Sequence, residues 1–225
     1  MFHKNNWLFW ILLSVSLICS GSFIHIFGYK DSFYHIYKFR NHLFDLCFPL
    51  LTYIGDGLVC ALLCVIFLCQ FSKQNTISKI LTVIIHIICF GIMVQILKNT
   101  IFTEWDRPVM FWVNQLSFRP DVERHFSFPS GHSITVSGAF TLMALYQETN
   151  QFTKLFWLFL MFLGGYTRVY LGSHYPGDVF ASFCLGIPGA MLLYSLNLHL
   201  KIKNESQKIK YIQYFKNLGC NLVNS

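Results

Sequence analysis

The stretch ISKILTVIIHIICFGIMVQIL, from Ile77 to Leu97, contains a single lysine among residues that are mostly apolar. A helix needs about 20 consecutive, mostly apolar residues to cross a hydrocarbon core of about 30 Å. This stretch therefore predicts a transmembrane helix. Five further apolar runs lie on either side of it, at Trp7–Phe27, Leu58–Phe71, Ile134–Tyr146, Leu155–Leu171 and Val179–Leu198.

The composition of the whole chain agrees with a membrane protein. Of its 225 residues, 54% are hydrophobic and only 12% are charged, and the mean hydropathy is +0.48. Soluble globular proteins carry about 25% charged residues. These values exclude a disordered chain, a collagen-like repeat and most cytosolic enzymes. We predict an all-α fold, a six-transmembrane-helix bundle that forms a single membrane domain over residues 1–225.

The lengths of the six runs indicate where polar functional residues lie. The first, third and sixth runs are long enough to span a membrane, and the fifth is nearly so. The second can extend back through Tyr53–Gly57 toward Phe48, whereas the fourth can extend only into the polar segment Phe128–Ser133. We therefore expect polar functional residues at the N-terminal end of the fourth helix. The first run can also be read as a cleaved signal peptide after Lys4, but it continues past the small residues of a cleavage site.

The lysines predict how the bundle is oriented. Six spans place both termini on one side, together with the connections at residues 72–79 and 147–154. This side holds nine lysines and two glutamates, and an excess of positive charge marks the cytoplasmic side. We expect residues 199–225 to form a basic cytoplasmic tail near anionic lipid headgroups, rather than a nucleic-acid-binding segment. Its lysines are Lys201, Lys203, Lys208, Lys210 and Lys216.

Three polar clusters then face outward together. Ionisable residues at a membrane boundary are costly, and they indicate function. Three cations around two histidines suit a phosphate dianion, because arginine binds phosphate oxygens through two parallel hydrogen bonds and lysine adds a point charge. The clusters are Lys98 with Arg107-Pro108; Pro129-Ser130-Gly131-His132; and Thr167-Arg168 with His174 and Asp178.

In two of these clusters, the positions and spacing of the residues suggest a specific role. In the second, the free N–H groups of Ser130, Gly131 and His132 would point out of a helix N-terminus and form an anion site. In the third, His174 and Asp178 are four residues apart and would share one face of a helix. An aspartate that accepts from one imidazole nitrogen leaves the other nitrogen free to act as a nucleophile.

Together the clusters resemble the signature of the type 2 phosphatidic acid phosphatase (PAP2) superfamily, whose fold is shared with vanadium haloperoxidases. The family pattern is Lys, about six residues, Arg-Pro; then Pro-Ser-Gly-His; then Ser-Arg, five residues, His, three residues, Asp. This chain has eight residues between Lys98 and Arg107, and Thr167 replaces the serine. The resemblance implies a catalytic core at residues 48–198, with a bundle of the PAP2/vanadium haloperoxidase-like type.

The resemblance also implies a role for each residue. His174 would be the nucleophile that forms a phosphohistidine, Asp178 would orient it, and His132 would protonate the departing oxygen. No metal and no cofactor would be needed. The residues that bind the phosphoryl oxygens would be Lys98, Arg107, Ser130, Gly131 and Arg168.

The implied function is release of phosphate from a lipid at the outer, periplasmic face of a bacterial inner membrane, with the substrate arriving laterally from the bilayer. Lipid A is favoured, because Thr52–Gly57 and the long spacing from Lys98 to Arg107 resemble small bacterial members. Undecaprenyl diphosphate, phosphatidylglycerophosphate and phosphatidic acid are alternatives. A vanadate-dependent haloperoxidase and a non-catalytic membrane scaffold or transporter are alternatives of other classes. The oligomeric state stays open.

Other charged residues of the 98–132 loop have simpler explanations. Arg119-Pro120 repeats the Arg-Pro pair, but no lysine lies close before it, so we expect a role in loop structure. Arg124 and His125 lie near the second cluster and could contact a substrate headgroup, although exposed loop positions are the simpler expectation. Taken alone, Pro-Ser-Gly-His could be a turn and a helix cap. The joint match of all three clusters is what favours a site.

Overall fold

The computed structural model describes residues 7–72, 74–112, 114, 116, 123–146 and 151–223, with the backbone alone at residues 202 and 204–223. Over these ranges the chain forms helices, turns and loops, and it has no strand. The predicted all-α fold is confirmed. The elements in chain order are α1 (Trp7–Phe27), α2 (Asp31–Tyr37), α3 (His42–Leu51), a 3₁₀ turn (Thr52–Gly55), α4 (Gly57–Phe71), α5 (Thr76–Thr100), α6 (Pro108–Trp112), α7 (Gly131–Tyr146), α8 (Gln151–Tyr170) and α9 (Pro176–Val223).

The six predicted runs correspond to α1, α4, α5, α7, α8 and α9. Of these, α1, α5 and the part of α9 from Pro176 to Lys201 are each long and apolar enough to cross a membrane, and α3 with α4 forms a fourth crossing if the bent pair is one span. α7 lies at the centre of the bundle, in contact with α4, α5, α8 and α9. Its side chains are buried along most of its length, so its serines, threonines and glycine face protein rather than lipid. The chain is an integral membrane protein.

The second run does not extend backward as one straight helix. The axis bends by 73° between the segment His42–Gly55 and α4. At the bend Asp56 is extended, and its side chain accepts from the amides of Leu58 at 3.0 Å and Val59 at 3.1 Å. An aspartate in this geometry caps a new helix. The chain therefore restarts at Gly57, and the 3₁₀ turn packs against α7 and α8.

The C-terminal ends of α5 and α8 lie at the same end of the bundle as the N-terminal ends of α7 and α9. Two hydrogen bonds tie the segment before α7 to α9: the Ser127 hydroxyl donates to the Asp178 carboxylate, and the Ser130 amide donates to Oγ of Ser182 at 2.9 Å. The three polar clusters therefore meet at one end, as their predicted placement on one side of the membrane requires.

The opposite end of the bundle holds several of the lysines. The backbone of α9 continues as a helix to Val223, so the predicted tail is a helical extension of the last span. Lys79, Lys154 and Lys201 lie near this end, at the ends of the α5, α8 and α9 spans. Other residues behind the orientation prediction lie outside the described part of the chain, namely Lys4, Lys73 and Glu148 and the side chains of Glu205, Lys208, Lys210 and Lys216.

Candidate active site

The connection between α8 and α9 places His174. After α8, Gly172 takes a left-handed conformation with φ of 75°, which glycine adopts without steric cost. The amides of Ser173 and His174 then both donate to the carbonyl of Arg168, at 3.0 and 3.2 Å. The chain thus folds back over the end of α8 and brings His174 next to Arg168.

Asp178 meets His174 through the start of α9. Pro176 is the first residue of this helix, so Asp178 is the third, the position from which an acidic side chain reaches back to the N–H before the helix. Its Oδ2 accepts from the Tyr175 amide at 2.9 Å and lies 3.4 Å from Nδ1 of His174. The prediction that the two residues share a helix face is wrong, because His174 precedes the helix. The four-residue spacing still brings the two side chains together, because the chain turns between His174 and the start of α9.

His174 and Asp178 are both buried, with exposed fractions of 2% and 0%. Burial lowers the pKa of His174 to about 3, against the opposing influence of Asp178, and the positive charges of Arg107 and Arg168 lower it further. The imidazole is therefore neutral at neutral pH. With Nδ1 facing a carboxylate, the lone pair of Nε2 is available for attack.

Three cations converge on the same region from three elements. Lys98 is in the last turn of α5, Arg107 lies in the following loop, and Arg168 is near the end of α8. Electrostatic interactions join Lys98 to both arginines and to Asp178, and they join His132 to all three cations. Like charges brought this close repel each other, so an anion between them is stabilising. A phosphate dianion fits this arrangement.

The loop around Arg107 fixes its guanidinium. The residue is only 6% exposed; its amide donates to the Arg124 carbonyl and its Nε to the His125 carbonyl, both at 2.8 Å. Arg124 and His125 thus act through their backbone. Nη2 of Arg107 binds the carboxylate of Glu123, whose side chain is 72% exposed. Burial lowers the pKa of Arg107, and Glu123 opposes this effect. The glutamate occupies an edge of the guanidinium that a phosphate oxygen can also bind.

Arg168 carries an unused donor. Its Nη1 donates to Oγ1 of Thr52 at 2.8 Å, whereas its Nε is buried and has no hydrogen-bond partner in the part of the chain that the structure describes. A buried N–H without an acceptor is costly, so this group indicates a ligand. Thr167, which replaces the serine of the family pattern, instead donates its hydroxyl to the Gly164 carbonyl at 2.8 Å.

The start of α7 differs in part from the prediction. Ser130 is fully buried and its amide is not free, because it donates to Ser182. The Ser130 hydroxyl accepts from the Ser133 hydroxyl at 2.8 Å and, as a helix cap does, from the Ser133 amide at 3.4 Å. The amides of Gly131 and His132 lie in the first turn, where a helix leaves its N–H groups without intrahelical partners. These two amides are the ones left for an anion.

A model of the PAP2 superfamily matches residues 76–201 of the chain. The chain belongs to the PAP2 superfamily. The matched segment includes Lys98, Arg107, His132, Arg168 and His174, which the structure brings together at one end of the bundle.

Individual PAP2 relatives match over different parts of the chain. Lipid A 4′-phosphatase of Bacteroides thetaiotaomicron is 35% identical over 82 residues, which cover 36% of this chain and 36% of that protein. Phosphatidylglycerophosphatase B of Bacillus subtilis is 29% identical over 171 residues, 72% of this chain and 68% of that protein. The crystal structure of Aquifex aeolicus LpxE has a TM-score of 0.63 and 28% identity, over 74% of this chain and 94% of that chain.

Two residues outside the PAP2 match also reach the site, and sequence reasoning missed both. Thr52 binds Arg168, and the Tyr29 hydroxyl donates to Oδ1 of Asp178. Inside the match it also missed Glu123 and Ser127. Ser127 lies close to the Pro-Ser-Gly-His motif, which is a weak signal. Tyr29 carries no signal, because it lies in a segment without a motif, 149 positions before its partner.

Two expectations are not settled by the geometry. Arg119 lies outside the described residues. Among the residues that are described, no three His, Cys, Asp or Glu side chains form a group that could hold a metal ion. That no metal is needed stays a prediction.

Proposed function

We propose that this PAP2 protein is a membrane lipid phosphatase that releases inorganic phosphate through a phosphohistidine intermediate. The observation that carries the proposal is the neutral, buried His174, paired with Asp178 beside three cations. A neutral imidazole is a nucleophile, and the cations stabilise the charge of a phosphoryl group. A site that only bound an anion would use the cations but would have no need of an oriented imidazole.

In the first step, Nε2 of His174 attacks phosphorus and the bond from phosphorus to the lipid oxygen breaks. Asp178 accepts from Nδ1 and stabilises the positive charge that develops on the ring. His132 gives its proton to the lipid oxygen, which leaves as an alcohol, or as a phosphate when the substrate is a diphosphate. The negative charge of the substrate stabilises this proton on His132 before the transfer.

In the second step, His132 takes a proton from water, and the water oxygen attacks phosphorus. The bond from phosphorus to His174 breaks, its electron pair returns to Nε2, and inorganic phosphate leaves. His132 then holds the proton for the next cycle. In both steps the charge on the phosphoryl oxygens is stabilised by Lys98, Arg107, Arg168 and the amides of Gly131 and His132, while Ser130 caps α7.

We also propose that the site lies at the periplasmic face of a bacterial inner membrane. The support is the lysine-rich opposite end of the bundle, which the positive-inside rule assigns to the cytoplasm. A lipid phosphate can then enter laterally from the outer leaflet. A phosphate on lipid A is the favoured substrate, because a lipid A 4′-phosphatase is 35% identical to part of the chain. Undecaprenyl diphosphate, phosphatidylglycerophosphate and phosphatidic acid are the alternatives.

The test is an assay of the purified protein in detergent and excess EDTA, with each of these four lipid phosphates. His174→Asn is the control, because it keeps the size of the side chain and removes the nucleophile. We expect phosphate release by the wild type alone, with inhibition by vanadate, which mimics a pentacoordinate phosphoryl group. A strict requirement for Mg²⁺, or undiminished release by the variant, contradicts the proposal.

A further inference from the structure

Tyr29 reaches the candidate site from outside the segment that the PAP2 model matches. It lies between α1 and α2, and its hydroxyl donates to Oδ1 of Asp178. The same hydroxyl accepts from Nε1 of Trp105 at 2.9 Å. We propose that Tyr29 is a positioning residue for the pair of His174 and Asp178, and that Trp105 holds it in place. This inference rests on the proposed phosphatase function.

The chemistry of the donors fixes the direction of this chain of hydrogen bonds. An indole N–H can only donate, so the oxygen of Tyr29 accepts from Trp105. The single phenolic proton is then directed at Asp178. Burial raises the pKa of Tyr29, and the neighbouring carboxylate raises it further. The hydroxyl therefore keeps its proton at neutral pH and stays a donor.

The two oxygens of Asp178 have different partners. Oδ1 accepts from Tyr29, whereas Oδ2 accepts from the Ser127 hydroxyl and the Tyr175 amide and faces His174. Donors on both oxygens prevent the carboxylate from rotating, so Oδ2 stays directed at Nδ1 of His174. Loss of the donor on Oδ1 leaves this rotation restrained from one side only.

The packing around Tyr29 allows its ring to lie close to the start of α9, where Asp178 is found. A Cβ on Gly177 would lie 2.3 Å from Cε2 of the Tyr29 ring, so a side chain at that position would displace the ring. The ring also packs against Tyr175 and Trp105, with centroids 5.0 and 6.1 Å away. A residue that served packing alone would not need a hydroxyl directed at a buried carboxylate.

The main test is Tyr29→Phe, which keeps the ring and removes only the donor. Tyr34→Phe is the matched control, because it removes a hydroxyl from a more exposed tyrosine in the neighbouring helix α2. We expect Tyr29→Phe to lower kcat for phosphate release by about tenfold with KM unchanged, as an effect on orientation does. Tyr34→Phe should change neither constant. An unchanged kcat in Tyr29→Phe overturns the inference, even if the melting temperature falls.

A second variant separates positioning from folding. Ser127→Ala removes one of the two donors on the other oxygen of Asp178. Because Tyr29 and Ser127 act on one carboxylate, the loss of kcat in the double variant should differ from the product of the two single losses. Losses that simply multiply would assign separate roles to Tyr29 and Ser127 and contradict the inference.

A binding measurement distinguishes failure of this inference from failure of the proposed function. Vanadate binding to the wild type and to both tyrosine variants can be followed by calorimetry without turnover. We expect Tyr29→Phe to bind vanadate about tenfold more weakly and Tyr34→Phe to bind it normally. If the wild type binds vanadate but hydrolyses no lipid phosphate, the proposed function fails, and the vanadate result still decides the role of Tyr29. Equal vanadate affinity in all three proteins overturns it.

Discussion

Gly55 packs directly against His132: a Cβ atom on Gly55 would lie 2.9 Å from Cβ of His132 and 3.2 Å from its carbonyl oxygen. Gly55 is buried at the end of the 3₁₀ turn, and Asp56 then caps α4. The position of His132 at the start of α7 therefore depends on the absence of a side chain in the turn before α4.

We expect Gly55→Ala to displace His132 and to lower kcat by about 10²-fold, the scale of a misplacement of about 1 Å. Gly57→Ala is the matched control, because its Cβ would meet only the side chain of Ile87, at an ordinary 3.4 Å. The measurement is phosphate release from the same lipid phosphate at saturating concentration. Similar activity in the two variants would show that the contact with His132 does not matter.

Glu123 binds the guanidinium that the proposed mechanism assigns to the phosphoryl oxygens. Its carboxylate is exposed and pairs with Arg107, and its negative charge would repel a phosphate dianion. We expect Glu123→Gln to lower KM by about two- to fivefold, the scale of a partly exposed ion pair. Glu104→Gln, an exposed glutamate of the same loop, should leave KM unchanged. A higher KM in Glu123→Gln would mean that the glutamate supports the arginine instead.

The sequence predicted the bundle well because spans are set by length and hydropathy. Each apolar run became a helix, although α7 begins at Gly131, within the polar segment Phe128–Ser133 that precedes the fourth run. The bend before α4 was not predictable in the same way. It depends on the cap at Asp56 and on the contact of Gly55 with His132, which are properties of the folded bundle.

The site was predictable where residue types and spacing carry the chemistry. Residue type and spacing identified Lys98, Arg107, Arg168 and both histidines, because cations and imidazoles near a membrane boundary have few structural uses. Contacts that depend on side-chain direction were not predictable. The Ser130 amide is used by Ser182, and Tyr29 reaches Asp178 from a distant segment. Serines and tyrosines are common, so only the fold distinguishes these residues from others of their type.

The buried His174 predicts a dependence of stability on pH. In an unfolded chain a histidine binds its proton near pH 6.5, whereas the pKa of His174 in the folded protein is about 3. Between these values the unfolded state binds more protons, so the free energy of unfolding falls as the pH falls from about 6.5 toward 3. Above about pH 6.5 the titration of His174 does not change the free energy of unfolding.

The measurement is the melting temperature of the wild type and of His174→Asn in detergent between pH 7.5 and pH 4. Asparagine does not titrate, so the melting temperature of the wild type should fall relative to that of the variant as the pH is lowered. His42→Asn, at an exposed position of α3, should not alter the pH dependence of the wild type in this way. A constant difference between wild type and His174→Asn over the whole range would contradict a neutral, buried imidazole.

The proposed orientation predicts which positions are accessible from outside the cell. Asn114 is exposed in the loop at the site end of the bundle, and Gln74 is exposed in the connection at the opposite end. We expect a cysteine at Asn114 to react with a membrane-impermeant maleimide in intact cells, and a cysteine at Gln74 to react only after lysis. A reporter fused after Lys210 should read as cytoplasmic. The reverse pattern would place the site at the cytoplasmic leaflet.

The covalent step makes the sharpest prediction about the two histidines. If His174 attacks phosphorus, a labelled lipid phosphate should leave its label on this residue through a P–N bond, labile to acid and stable to base. His174→Ala should abolish both turnover and labelling, whereas His42→Ala should affect neither. Asp178→Asn should slow the labelling by up to about 10⁴-fold, the cost of a wrong tautomer in a related triad.

His132 should behave differently, because in the proposed mechanism it protonates the leaving group. General acid catalysis contributes about 10²- to 10⁴-fold, and it contributes most when the leaving oxygen is most basic. His132→Ala should therefore slow turnover strongly with a phosphomonoester, whose leaving group is an alkoxide. It should slow turnover least with a diphosphate, whose leaving group is already a stable anion. Peptide mapping of the trapped label decides the assignment: label on His132 would mean that the two histidines have exchanged roles, because the nucleophile is the residue that keeps the phosphoryl group.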